Sequence, residues 1–193
     1  MTPGIAPSQT GTELPRAPGW AGLLERFYAK LGLTLPQLHD VPGADMPEPY
    51  KGLLVHSADM TPTLEAFYRQ PMRLSVLTRE QQDYSYLREV VLKSDHDARP
   101  VEYGVIRICL NHLPPPARLR VLEEQRPLGN VLQRESIAHL SWPQSFFRVE
   151  SDSHLGHVLY LAQPAALYGR RNVLLDGSRR LLAEVIEILA PAP

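Results

Sequence analysis

The stretch "YLREVVL", Tyr86 to Leu92, decides how the chain is read. Taken as a strand, it places Tyr84, Tyr86, Arg88, Val90 and Leu92 on one face and Ser85, Leu87, Glu89, Val91 and Lys93 on the other. Arg88 falls in the more apolar row. A guanidinium stays charged, so in such a row it needs either an internal carboxylate or an anionic ligand.

The neighbouring runs are also extended. "MRLSVLTRE" (72–80) precedes the stretch, and "VEYGVIRICL" (101–110) follows it across the polar turn "HDARP" (96–100). All are rich in β-branched or aromatic residues, and their closeness predicts an antiparallel meander. Upstream, Leu23, Leu24, Phe27, Tyr28 and Leu31 recur at three and four, predicting an amphipathic helix from Trp20 that stops at Gly32. After a proline-punctuated loop through Pro49, "GLLVHSADMTPTLEAFYRQP" (52–71) predicts a helix with Thr61 as N-cap and Pro62 at its first position, ended by Pro71. Downstream, "PPPARLRVLEEQ" (114–125) predicts a short helix and "RPLGNVLQ" (126–133) a turn into a helical stub. "IAHLSWPQSFFRVE" (137–150) is extended, and "NVLLDGSRRLLAEVIEIL" (172–189) is a hairpin turning at Asp176 and Gly177. The expected class is α+β: a single domain with an antiparallel β-sheet flanked by helices.

Bulk composition narrows the function. A chain of 193 residues, 44% hydrophobic and 21% charged, fits one globular domain. Residues 1–19 contain four prolines and three glycines among small polar residues and are expected to form a flexible tail before a domain over 20–193. A formal charge of -1 provides no field to recruit nucleic acid or an anionic membrane surface. No apolar run approaches the roughly 18 residues of a spanning helix, and the chain does not open on a basic segment followed by an apolar core, so the expectation is a cytoplasmic protein. The single cysteine, Cys109, excludes an internal disulfide and a cysteine-rich zinc site. Nothing in the pattern speaks to oligomeric state.

The terminal hairpin repeats the puzzle of Arg88. Alternation from Arg180 to Ala190 puts Leu182, Glu184, Ile186 and Ile188 on one face, and Leu181, Ala183, Val185, Glu187 and Leu189 on the other. A glutamate joins an apolar row on either side, so parity leaves open which one looks inward. Arg88 and one of these glutamates can form a structural ion pair, or an edge strand can expose them. Alternatively, a pocket holds a substrate carboxylate on the arginine while a desolvated glutamate, its pKa raised by burial, donates a proton. His154 and His157 are spaced like two metal ligands, but "SDSHLGH" (151–157) has no third ligand at recognisable spacing, and no metal is expected. There is no G-x-S-x-G elbow and no phosphate-cradling glycine loop, and Cys109 falls in a strand as a core residue. "LYGRR" (167–171) offers two arginines after a glycine, with Arg171 expected in a solvated turn.

Four stretches, taken together, resemble the chorismate lyases (chorismate pyruvate-lyases) of ubiquinone biosynthesis. They are "ADMT" (58–61), "YLREVVL", "RPLG" (126–129), and "LYGRR" followed by a hairpin carrying "LLAE" (181–184). Their order and spacing match from about residue 50 to the end. That family shares its fold with effector-binding domains of bacterial transcription regulators. The resemblance implies helical flaps over an enclosed pocket and conversion of chorismate to 4-hydroxybenzoate and pyruvate without metal or organic cofactor. Loss of a ring proton then yields an aromatic product. It also implies that Arg88 binds the ring carboxylate, that Met60, Thr61, Leu128 and Gly129 line the site, that Arg170 contacts substrate, and that a hairpin glutamate faces the ether oxygen. "LLAE" assigns this role to Glu184, whereas counting back from Pro191 assigns it to Glu187; Glu184 is taken as the acid. Where the family places an arginine after an Ala-Gly pair, this chain has "EYGVIRI" (102–108), so a second carboxylate needs Arg107 or Arg170. The alternatives are a divergent enzyme acting on another aromatic or enolpyruvyl acid in a specialised biosynthetic pathway, and a non-catalytic small-molecule-binding module. In every case the expected partner is a small aromatic carboxylic acid.

Overall fold

The computed structural model describes residues 21–193, and both Trp20 and the tail expected over 1–19 lie outside the described residues. In chain order the elements are α1 (Ala21–Lys30), β1 (Leu38–Asp40), α2 (Tyr50–Leu54), α3 (Met60–Tyr68), β2 (Met72–Gln82), β3 (Ser85–Ser94) and β4 (Pro100–Cys109). Then follow α4 (Pro115–Leu122), α5 (Leu128–Arg134), β5 (His139–Glu150), α6 (Ser153–Val158), β6 (Ala166–Asp176) and β7 (Leu181–Leu189). The strands form one seven-stranded sheet in the order β1-β5-β6-β7-β4-β3-β2, and all neighbours are antiparallel. The sheet with its flanking helices is the α+β domain expected from the sequence. Strands β2 to β4 form the meander, and β6 and β7 form the hairpin, whose turn is held by the Asp176 carboxylate accepting N–H bonds from Ser178 and Arg180 at 2.9 Å.

Alternation sorts the side chains into two layers. On one face Leu87, Val91, Tyr103, Val105, Ile186 and Ile188 pack against Leu24, Phe27 and Tyr28 of α1 and Leu155 and Val158 of α6. The other face carries two separate apolar clusters. One lies against α4 and α5 around Ile108, Val121, Val131 and Leu132, and the other against α2 and α3 around Leu54, Leu64, Met72 and Leu189. The seam between these clusters is where a site can form.

Several local expectations shift. Helix α3 starts two residues before the expected first position, capped at Asp59, so Thr61 is inside the first turn and buried. Pro62 is tolerated there because a first-turn N–H has no intrahelical partner to lose. The helix closes on Arg69, in the left-handed region at φ 55°, just before Pro71. "SDSHLGH" is a short helix, α6, capped by Asp152, whose carboxylate accepts from the Leu155 N–H at 2.8 Å. "LYGRR" is strand interior and not a turn. Arg171 pairs across to Ile186 and is buried because Glu184 neutralises it at 2.6 Å.

Gly169 shows why this stretch carries a glycine. A Cβ there would stand 2.4 Å from the Glu187 carbonyl oxygen and 2.6 Å from the Phe147 ring. The first neighbour is backbone of a central strand and cannot give way. Gly169→Ala is therefore expected to destabilise the fold by about 2–3 kcal/mol through overpacking. Urea unfolding checks this, and an unchanged midpoint would contradict the tight β6–β7 contact.

Candidate functional site

The seam between the two clusters is a cavity. Its floor is one face of the central strands: Arg88, Val90 and Leu92 from β3, Glu102, Gly104 and Ile106 from β4, Asn172 and Leu174 from β6, and Val185 and Glu187 from β7. Its cover is the start of α3, with Asp59, Met60 and Thr61, and the start of α5, with Pro127, Leu128 and Gly129. About 60 Å³ is open to the centre of a water-sized sphere, room for roughly four to six waters and the scale of a single-ring ligand. Gly104 keeps the floor low, since a Cβ there would meet Val90 at 3.1 Å and Glu102 Oε1 at 3.3 Å.

Arg88 is 1% exposed, and its Nε and Nη1 are buried without hydrogen-bond partners. Burial pulls its pKa down, opposed by nearby Tyr86 and Glu124. Glu124 is already engaged, accepting from the Tyr86 hydroxyl and from Arg79. A structural pair with a hairpin glutamate is not what the guanidinium makes. Arg88 lines the cavity with two donors unpartnered, a set that matches a carboxylate.

The hairpin glutamates divide between the faces. Glu187 lines the cavity, whereas Glu184 is on the opposite face, accepting from Arg171 at 2.6 Å and Arg107 at 2.7 Å. This corrects the assignment of Glu184 as the acid. An odd separation along a strand reverses the side, so only one of the two can share Arg88's face. Arg107 goes with Glu184 and supplies no charge to the cavity. Arg170, expected as a substrate contact, is also corrected. It is fully buried behind the cavity wall, donating from Nε to Glu187 at 2.5 Å and to the carbonyls of Leu54, His56 and Ala58 at 3.1–3.3 Å. It therefore fixes the segment leading into α3 and engages the Glu187 carboxylate. Met60, Thr61, Leu128 and Gly129 all stand in the cavity wall.

Glu102 and His139 are among the polar groups at the site not singled out from the sequence, as are Asp59 and Asn172. Glu102 is 4% exposed, and its Oε2 has no partner. Burial pushes its carboxyl well above the ordinary range, reinforced by the Glu187 carboxylate and opposed by Arg170. The signal was available: in "VEYG" (101–104) Glu102 has the parity of Gly104 on a strand paired with β3. The second group is His139, whose Nε2 lies 2.9 and 3.0 Å from the two Asp59 oxygens while Nδ1 lies 2.8 Å from the Ile137 carbonyl. Both ring nitrogens face acceptors, which favours imidazolium. On the far face, His154 bonds Glu89 at 2.7 Å and packs edge-on against Tyr28 and Tyr103, a cross-link within the core.

The fold has solved counterparts. The effector domain of PhnF from Mycobacterium smegmatis superposes with a TM-score of 0.51 at 10% identity, over 68% of this chain and 88% of that one. The possible transcriptional regulator YydK from Bacillus subtilis subsp. subtilis str. 168 superposes with a TM-score of 0.51 at 9% identity, over 87% of this chain and 83% of that one. No protein family and no curated protein matches the chain in sequence. At these identities the likeness is one of fold: a regulator effector domain's sheet and helices. Among the described residues no helix is long and apolar enough to cross a membrane.

Two titrations test the site. The bond to Asp59 raises the His139 pKa above 6.5, outweighing burial. Stability from this pair is then complete below about pH 6.5 and is lost as pH rises through the higher folded value. His139→Gln should cost about 1–3 kcal/mol at pH 6 and less at pH 9 in denaturant melts. An equal cost at both would remove the charge pair. Glu102 has the same sign: the folded state keeps a proton that the unfolded chain releases, so stability falls as pH rises above about 4.5. Glu102→Gln should flatten that decline and be more stable than the parent at pH 8; a steeper decline would argue for an ionised Glu102.

Proposed function

We propose that this chain binds a small ring carboxylic acid, with the ligand carboxylate held by Arg88. The observation that carries the reading is the pair of unpartnered guanidinium donors buried at a cavity of single-ring scale. A fold shared with the effector domain of PhnF supports a small-molecule role. On this reading the buried cation is destabilising in the empty protein and is neutralised by the ligand.

A second reading is a cofactor-independent lyase that converts chorismate to 4-hydroxybenzoate and pyruvate, or a divergent enzyme acting on a related enolpyruvyl acid. What favours it is that two carboxyls, Glu102 and Glu187, share the cavity with Arg88. A protonated carboxyl beside an ether oxygen helps that oxygen to leave. Weighing against chorismate is its second carboxylate, because Arg88 is the cation of the cavity wall while Arg107 and Arg170 are each bound to a glutamate.

The test uses 4-hydroxybenzoate and chorismate, without added metal, on the parent protein and on Arg88→Met. The parent should bind 4-hydroxybenzoate by calorimetry. Arg88→Met should lose about 2–5 kcal/mol of that affinity, yet melt at a higher temperature than the ligand-free parent, which shows that it is folded. Release of equimolar pyruvate and 4-hydroxybenzoate from chorismate selects the lyase, and binding without turnover selects the module. Equal affinity in the parent and Arg88→Met would sink the carboxylate anchor.

A further inference from the structure

The cavity wall carries three carboxyls, and they are not equivalent. Asp59 is held by His139 and Glu187 by Arg170. Glu102 has no such cation: its Oε2 is buried without a partner, and Glu187, which lies opposite Gly104, is its diagonal neighbour on the same face and acts on it as a nearby negative charge. A carboxyl in that setting keeps its proton, because ionising it would bury a second negative charge beside the first. A protonated carboxyl differs from a carboxylate in having an O–H to donate.

Its position matters as much as its state. Arg88 lies opposite Ile106 and Val90 opposite Gly104, while Glu102 lies opposite Leu92. Arg88 and Glu102 are thus four residues apart along the paired strands, about 14 Å at about 3.4 Å per residue. Both side chains line the cavity, and the bare backbone of Gly104 lies between them. The cation and the neutral acid therefore bracket the floor from its two ends.

We infer that Glu102 is the specificity-determining residue of this cavity, donating a hydrogen bond from its carboxylic acid to a ligand oxygen remote from the carboxylate on Arg88, so that hydroxy- or ether-bearing ring acids are selected over bare ring acids. The inference rests on the acid-binding reading above and adds what the far end of the ligand must carry. Glu187 is already engaged by Arg170 and Asp59 by His139, whereas the Glu102 Oε2 has no partner.

The experiment compares 4-hydroxybenzoate with benzoate by calorimetry at pH 7 on the parent, Glu102→Gln and Glu102→Leu. The parent should prefer 4-hydroxybenzoate about tenfold, the effect of one well-made hydrogen bond in a dry site. Glu102→Leu should bring the ratio of affinities close to one, and Glu102→Gln, which keeps a donor without the charge, should restore it. A ratio that persists in Glu102→Leu overturns the inference, as does a parent that binds both acids equally, and in either case the carboxylate anchor on Arg88 stands. If the parent binds neither acid, the anchor fails and the role of Glu102 fails with it.

Discussion

Arg170 is the point at which sheet, flap and cavity are tied together. Its guanidinium is fully buried, and it meets a carboxylate on β7 and three carbonyls of the segment leading into α3. Without those partners the buried cation would be costly to keep. With them, it fixes the height of the α3 start above the sheet. It also decides which glutamate has a cation for a partner. By pairing with Glu187 it leaves Glu102 to face a negative neighbour with no cation of its own, and the neutrality of Glu102 follows from that choice.

The two faces of the sheet share the work unequally. The face under α1 and α6 carries a single apolar cluster, braced by Tyr103 and His154 on Glu89, and its buried Glu184 is paired with Arg171 and Arg107. The opposite face is interrupted, with a cluster at either end and the cavity between. An unpaired guanidinium and a protonated carboxyl both cost stability where they sit. The closed face is what allows the open one to carry them, in the way that binding sites depart locally from the rules that stabilise the rest of a fold.

How much of this was legible in the sequence depended on whether a strand has a polar side. For β3, Arg88 stood out because its row is apolar and its charge is not, and the meander and hairpin followed from turn chemistry at "HDARP" and Asp176. For β7 the same reasoning gave two answers. The strand is buried on both faces, so Glu184 and Glu187 each interrupt an apolar row, and only the pairing with β4 and β6 separates them. Arg170 and Arg171 posed the same ambiguity one strand over, and the turn expected at Arg171 failed because a buried partner, Glu184, lies far along the chain. The Asp59 cap was missed because Thr61-Pro62 imitates a helix start. Glu102 was passed over because a glutamate near a strand end reads as solvent-facing until its register with Leu92 is known.

The asymmetry of the cavity suits two uses that differ less than they seem to. A binding module needs a ligand to stabilise one arrangement of the flap, and Arg88 provides the differential: its charge is unmatched without a carboxylate and matched with one. A lyase needs a proton at a departing oxygen, and Glu102 has one to give at the other end of the same floor. The bond from a phenolic oxygen to its aromatic ring does not break on protonation, so a hydroxy acid bound between them would simply be held. An enolpyruvyl ether has such a bond, and the donor that orients it would also protonate it. On the proposed reading, recognition and cleavage would therefore draw on the same two groups, and what would separate them is the ligand's own chemistry at the oxygen facing Glu102.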